Sequence, residues 1–235
     1  MMGAETAHLL DDPIWAALTT GNRHHAEGGP MAWRYPPEVA PFAAMADRSP
    51  EAFKALAAIV PAGGRLALGT LDKLVPSPIL EIDMQAPLIQ MILNVPVRST
   101  PSGPEHVVLG SADVPEMLDL AERNHPGPFG PRTIEFGQYI GLRIEGTLVA
   151  MAGERMRLDR YVEISAVCVD PDHRGNGYGA LLVTRLARDL QVQGLTPFLH
   201  VFESNEGAIA LYEKLGFTKR RSFYLTILRA ARADT

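Results

Sequence analysis

The chain has 235 residues, 46% of them apolar and 21% charged, a balance that fits one large globular domain or two small ones. A formal net charge of −5 gives no sign of a nucleic-acid surface, and the single cysteine, Cys168, excludes an internal disulfide framework. No run approaches the ~18 apolar residues of a membrane span. The mild acidity is compatible with a cationic reactant such as an amine.

The opening "MMGAETAHLLDDPIWAAL" lacks the basic start and apolar core of a secretory leader, so the chain is expected to be soluble and cytoplasmic. The first 45 residues carry many prolines and both tryptophans and show no periodicity from which elements can be assigned. The histidines are scattered, with His24 and His25 adjacent in a Gly-rich segment. No metal-ligand spacing appears, and no metal is expected. "SPEAFKALAAIV" predicts a helix: Ser49 caps it, Pro50 suits the first turn, and Phe53, Leu56, Ala57 and Val60 share a face. "RLALGTL", "ILEIDM" and "LIQMILNV" read as short strands. At "VRSTPSGPEH", Val97 to His106, apolar periodicity stops, which places a domain boundary between 1–100 and 103–235.

Beyond the boundary, "HVVLG" reads as a strand and "SADVPEMLDLAERN" as a helix capped by Ser111 or Asp113, with Met117, Leu118 and Ala121 on one face. "HPGPFGPR", His125 to Arg132, is a stiff loop. "QYIGLRIEGTLVAMAGERMRL" is two strands joined at "EG", and "YVEISAVCVD" a third. Gly177 to Gln193 is an amphipathic helix with Leu181, Leu182, Leu186 and Leu190 at helical spacing. "PFLHVF", "NEGAIALYEKLG" and "SFYLTIL" follow as strand, helix and strand. Several antiparallel strands followed by a strand–helix–strand–helix–strand run make this an α+β chain.

The stretch "ISAVCVDPDHRGNGYGALLVTRLARDL" carries the strongest chemical signal. Gly175, Gly177 and Gly179 strip side chains from the turn that opens a helix, so a ligand can approach the backbone closely. Unpaired N–H groups and the helix dipole together favour phosphate there. Glycine in the helix costs roughly 1 kcal/mol per residue against Ala, so a ligand accounts for the pattern better than packing does. A P-loop is excluded, because no Lys-Ser or Lys-Thr follows. Gly175, Gly177 and Ala180 match a dinucleotide G-x-G-x-x-A, but Asp170 to Arg174 separate the first glycine from its strand, unlike that fingerprint.

Arg174-Gly175-Asn176-Gly177-Tyr178-Gly179 resembles the R/Q-x-x-G-x-G/A signature of the GNAT superfamily of acyl-CoA-dependent N-acetyltransferases. Twenty-six residues after Gly179 begins "NEGAIALYEKLGF", which resembles the family's second block at Asn205, Ala208, Leu211, Tyr212, Gly216 and Phe217. The resemblance covers roughly Val107 to Leu228 and is nearest to the glycine N-acyltransferase-like branch. It implies a GNAT fold: a mixed, mostly antiparallel central sheet with splayed strands and helices on both faces, preceded by a degenerate GNAT-like N-terminal half.

The resemblance also implies roles. The amides of Arg174 to Ala180, with Asn176 and Tyr178 among them, would hold the coenzyme A pyrophosphate, and Asn205 would cap its helix and bond the coenzyme. Backbone groups of Val167, Cys168 and Val169 would pair with pantetheine, the Val167 N–H facing the thioester carbonyl. Strand alternation sets Glu163, Ser165, Val167 and Val169 on one face. Glu163 is the candidate general base, its pKa raised by burial, with Glu154 second; Tyr212 is the candidate general acid. Phe129 would line the acceptor pocket, and Lys219 to Phe223 would be a solvated basic edge. Acetyl-CoA is the implied co-substrate. The expected partner is a small-molecule or peptide amine, without nucleic acid or membrane, and the chain a monomer or homodimer. A longer acyl-CoA, an amino-acid acceptor or a non-catalytic acyl-CoA sensor stand as alternatives.

Overall fold

The computed structural model describes residues 8–75, 77–99 and 101–231. The reading of the N-terminus as leader-free starts in residues 1–7, which lie outside the described ones. In chain order the elements are α1 (Pro13–Thr19), β1 (Glu27–Gly29), β2 (Ala32–Arg34), β3 (Ala43–Met45), α2 (Pro50–Ala58), β4 (Leu66–Thr70), β5 (Leu80–Ile92), β6 (Val107–Leu109), α3 (Val114–Asn124), β7 (Tyr139–Ile144), β8 (Thr147–Leu158), β9 (Tyr161–Val169), α4 (Tyr178–Val192), β10 (Thr196–Phe202), α5 (Glu206–Lys214) and β11 (Thr218–Ala230). They divide into two compact units.

One unit comprises residues 8–36, 41–87 and 223–231. Here the Asp12 carboxylate caps α1 by accepting from the Trp15 N–H, and the Ser49 hydroxyl caps α2 by accepting from Ala52. β1, β2 and β3 form an antiparallel sheet, and β4 pairs antiparallel with Tyr224–Leu228 of β11. Phe53 and Leu56 of α2 pack with Leu66, Leu68 and Leu228 in its core. The two strands expected at "ILEIDM" and "LIQMILNV" are one continuous strand, β5. Pro87 removes a ladder donor there, but its fixed φ still suits an extended chain.

The other unit comprises residues 37–40 and 88–222. Its strands run in the order β5-β10-β9-β8-β7-β6, antiparallel except for β9 and β10, which are parallel. α4 buries Leu181, Leu182, Leu186 and Leu190 against Met91, Val162, Ile164 and Leu199. Each such side chain contributes about 1.5–3 kcal/mol through burial. On the opposite face Met117 and Leu120 of α3 pack with Tyr139, Met151, Ala166 and Cys168. Cys168 is a free, buried thiol, and burial pushes its pKa up to about 12. Glu145 and Gly146, both at positive φ, form the two-residue turn between β7 and β8.

Neither Ser111 nor Asp113 caps α3 by its side chain, contrary to expectation. The Asp113 carboxylate instead accepts from the Gly110 N–H at 2.8 Å and pairs with Arg143 at 2.6 Å. The cause is a 3-10 turn over Ser111–Asp113 that delays the α-helix to Val114.

Candidate active site

β9 and β10 pair only through Tyr161↔Thr196, Val162↔Pro197 and Glu163↔Phe198. Beyond these residues the strands part. On its other side β9 stays paired to β8 as far as Val169↔Ala150, with a register slip between Met151 and Gly153. Ala166 takes up the slip at φ +52, left-handed for a residue with a Cβ. The extra residue breaks the simple alternation. Val167 and Val169 turn to the α4 side with Val162 and Ile164, while Ala166 and Cys168 face α3. The expected single face of Glu163, Ser165, Val167 and Val169 is therefore corrected: Val167 and Val169 lie opposite Glu163. The Asp170 N–H donates to Val149 O on the β8 side. By alternation of the peptide groups, those of Val167 and Val169 point into the gap that β10 leaves. The Val169 carbonyl accepts from Arg174 Nε at 3.3 Å.

α4 begins directly above this gap. Gly175 and Gly177 stand at φ +83 and +75, which explains glycine at both, since an added Cβ would meet nothing within 4 Å. At Gly179 φ is ordinary, and a Cβ would sit 3.7–3.9 Å from Val167, Val169 and Leu211. The folded chain thus has room for a side chain there, and a glycine is unexplained by packing. Among the described residues no hydrogen bond engages the N–H groups of Gly175 to Ala180. Asn176 Nδ2 donates to His173 O, Arg174 Nη2 donates to Asn124 Oδ1 at 2.8 Å, and the Tyr178 ring packs against the α4 core. The result is a row of bare amides at the positive end of a fifteen-residue helix, a cradle suited to an anionic diphosphate.

Leu211 of α5 lies beside Gly179, which brings α5 to the same gap. Its neighbour Tyr212 is 9% exposed, and burial pushes the phenol up to about 12, so it keeps its proton through the neutral range. Asn205 Oδ1 caps α5 by accepting from the Ala208 N–H at 3.1 Å.

Glu163 is fully buried. Its oxygens accept Arg155 Nε at 2.7 Å and Nη2 at 2.6 Å, and His200 Nδ1 lies 2.7 Å from Oε1. Burial alone pushes the carboxyl up. The charge and two hydrogen bonds of Arg155, with the contact from His200, outweigh it and hold the group down at about 2. The expected upward shift is thus reversed. His200 Nε2 lies 3.0 Å from Gln90 Nε2, and Gln90 Oε1 accepts from Arg220 Nη1 at 2.9 Å. Arg155, Glu163, His200, Gln90 and Arg220, from five strands, form one connected polar strip.

Sequence reasoning missed four of these five. The available signal was a charged or polar residue at inward positions of apolar strands, as in "AGERMRL" and "PFLHVF". Arg220 lies in the expected solvated edge but holds Gln90, while Lys219 pairs with Glu213 at 3.5 Å. Glu154 is 4% exposed and pairs with Arg157 at 2.9 Å. Phe129, expected to line an acceptor pocket, packs edge-on to Tyr139 with ring centroids 5.8 Å apart.

Comparison with known proteins agrees with this architecture. The family described as FR47-like protein matches residues 139–225. The [Ribosomal protein bS18]-alanine N-acetyltransferase of Salmonella typhimurium is 34% identical over 129 residues, 51% of this chain and 86% of that protein. A solved GNAT-family acetyltransferase from Novosphingobium aromaticivorans is 37% identical and superposes with a TM-score of 0.90, covering 96% of this chain and 100% of its own. A GCN5-related N-acetyltransferase from Kribbella flavida, 17% identical, shares the fold at a TM-score of 0.65 over 92% of this chain and 95% of its own. The chain belongs to the GNAT family of N-acetyltransferases. It is an acyltransferase of the kind that uses acetyl-CoA, and among the described residues no helix is long and apolar enough to cross a membrane.

Proposed function

We propose that the chain transfers acetyl from acetyl-CoA to a primary amine by direct attack in a ternary complex. The observation that carries this reading is the row of bare amides from Gly175 to Ala180 set over the gap between β9 and β10. In this reading those amides hold the pyrophosphate, the peptide groups of Val167 and Val169 pair with the pantetheine arm, and the Val167 N–H stabilises the oxyanion. The amine nitrogen bonds to the thioester carbon, the C–S bond breaks, and Tyr212 protonates the leaving sulfur. Tyr212 regains a proton from the new amide nitrogen through water.

The acceptor favoured is the α-amino group of a protein N-terminus, as the name of the Salmonella relative suggests. Chemistry agrees: freeing an α-amine of its proton at pH 7 costs about 1 kcal/mol, against about 4–5 for a lysine. Thiol release from acetyl-CoA over a panel of an alanine-initiated peptide, a lysine peptide, glycine and a polyamine tests the reading. Tyr212→Phe is expected to lower kcat about 10²-fold with little change in KM for acetyl-CoA. Coenzyme A binding without thiol release for any amine would favour the sensor instead.

A further inference from the structure

We propose that His200 takes the acceptor amine's proton, and that Glu163 and Gln90 are positioning residues that keep its Nε2 free of hydrogen and basic. This rests on the amine-transfer reading above. His200 stands on β10 two residues past the last pairing with β9, so it lies at the mouth of the gap where the thioester would sit. It is partly exposed, whereas Glu163 behind it is fully buried.

The hydrogen-bond polarity of the strip leaves one consistent assignment. Arg220 only donates, so the Gln90 atom facing it is the carbonyl oxygen, and the Gln90 amide nitrogen faces His200. An amide nitrogen only donates, so His200 Nε2 is the acceptor, and the ring hydrogen sits on Nδ1, donating to Glu163. Glu163 in turn is fixed by both N–H groups of Arg155. The Phe198 ring packs edge-on to the imidazole at 5.8 Å and is uncharged. Polar groups that bear on the imidazole include Glu163 from β9, Gln90 from β5 and, behind them, Arg155 from β8 and Arg220 from β11.

Each part of this arrangement suits a base. The lone pair on Nε2 faces a neutral donor, the Gln90 amide, which an ammonium N–H can replace. When the proton moves from ammonium nitrogen to Nε2, the ring gains a charge that the Glu163 carboxylate faces at 2.7 Å. The neutral amine then attacks the thioester, and His200 returns its proton to solvent after release. Glu163 itself is a poor acceptor, since Arg155 occupies both its oxygens.

The test is the pH dependence of kcat/KM for the full chain with acetyl-CoA and an alanine-initiated peptide, with coenzyme A binding measured by calorimetry alongside. The wild type is expected to show a rise with pH, and His200→Gln to lower kcat/KM by about 10²-fold or more and to abolish that rise. Gln90→Glu sets a carboxylate against Nε2 and is expected to move that rise to higher pH. Both variants keep wild-type affinity for coenzyme A. Activity of His200→Gln within threefold of wild type, with the same rise, overturns the inference. So does loss of coenzyme A binding in both variants, which would make the strip scaffold alone. A wild-type chain that acetylates no amine strikes at the transfer reading itself and is seen before any variant is made.

Discussion

Replacing Glu163 with alanine is expected to cost about 3–5 kcal/mol of stability, because it removes the carboxylate that faces the Arg155 guanidinium in a site that is nearly dry. For a chain of this size that lowers the thermal midpoint by about 10 °C. The loss comes from removing the counter-charge of a buried guanidinium rather than from the worth of the pair. The double variant Arg155→Met/Glu163→Leu is therefore expected to recover most of it. Glu163→Gln separates the charge from the shape. The carboxyl is held at about 2 in the folded chain, below its ordinary 4.5. Its contribution is thus complete above pH ~4.5 and is lost as the pH falls through the folded value. The stability gap between wild type and Glu163→Gln, measured by denaturant midpoints at pH 7, 4 and 3, should narrow steadily on the acid side. A gap that stays constant would mean that Glu163 is protonated in the fold and that Arg155 is satisfied elsewhere.

The contrast between what was legible and what was not follows the range of the interactions. The glycine turn and the second block around Tyr212 are continuous in sequence, and each acts through its own backbone or its own helix. Their placement at the start of α4 and on α5 follows from local pattern alone. The face of Val167 could not be read the same way. Its direction depends on the slip between β8 and β9 at Ala166, a property of two strands together. A run of alternating residues carries no mark of a bulge when the bulged residue is an alanine rather than a glycine. Likewise the pKa of Glu163 depends on Arg155, eight residues away, and on His200, thirty-seven away. Burial was inferable from the apolar strand around it; the compensating charges were not, and they reverse the sign. β5 reads as two strands because Pro87 looks like a breaker, yet a proline costs an extended strand only one donor.

Gly177→Asp should separate stability from ligand binding, leaving the first nearly unchanged and weakening the second. Gly177 is the residue that caps α4, at φ +75, with open space where its Cβ would be. Asp tolerates this backbone region better than most residues. At the start of a helix its carboxylate accepts from the free N–H groups and meets the favourable end of the dipole, each worth about 0.5–1 kcal/mol. These gains offset the conformational cost, and the thermal midpoint is expected to stay within a few degrees of wild type. The same carboxylate occupies the amides proposed for the pyrophosphate and repels it. Loss of two charge-assisted hydrogen bonds, at about 1.5–3 kcal/mol each, weakens coenzyme A binding by at least ~10²-fold. Gly177→Asn carries the same shape without the charge and should fall between. Calorimetric titration with coenzyme A reads both variants. Wild-type affinity in Gly177→Asp would remove the bare amides as the site, because no diphosphate can share them with a fixed negative charge.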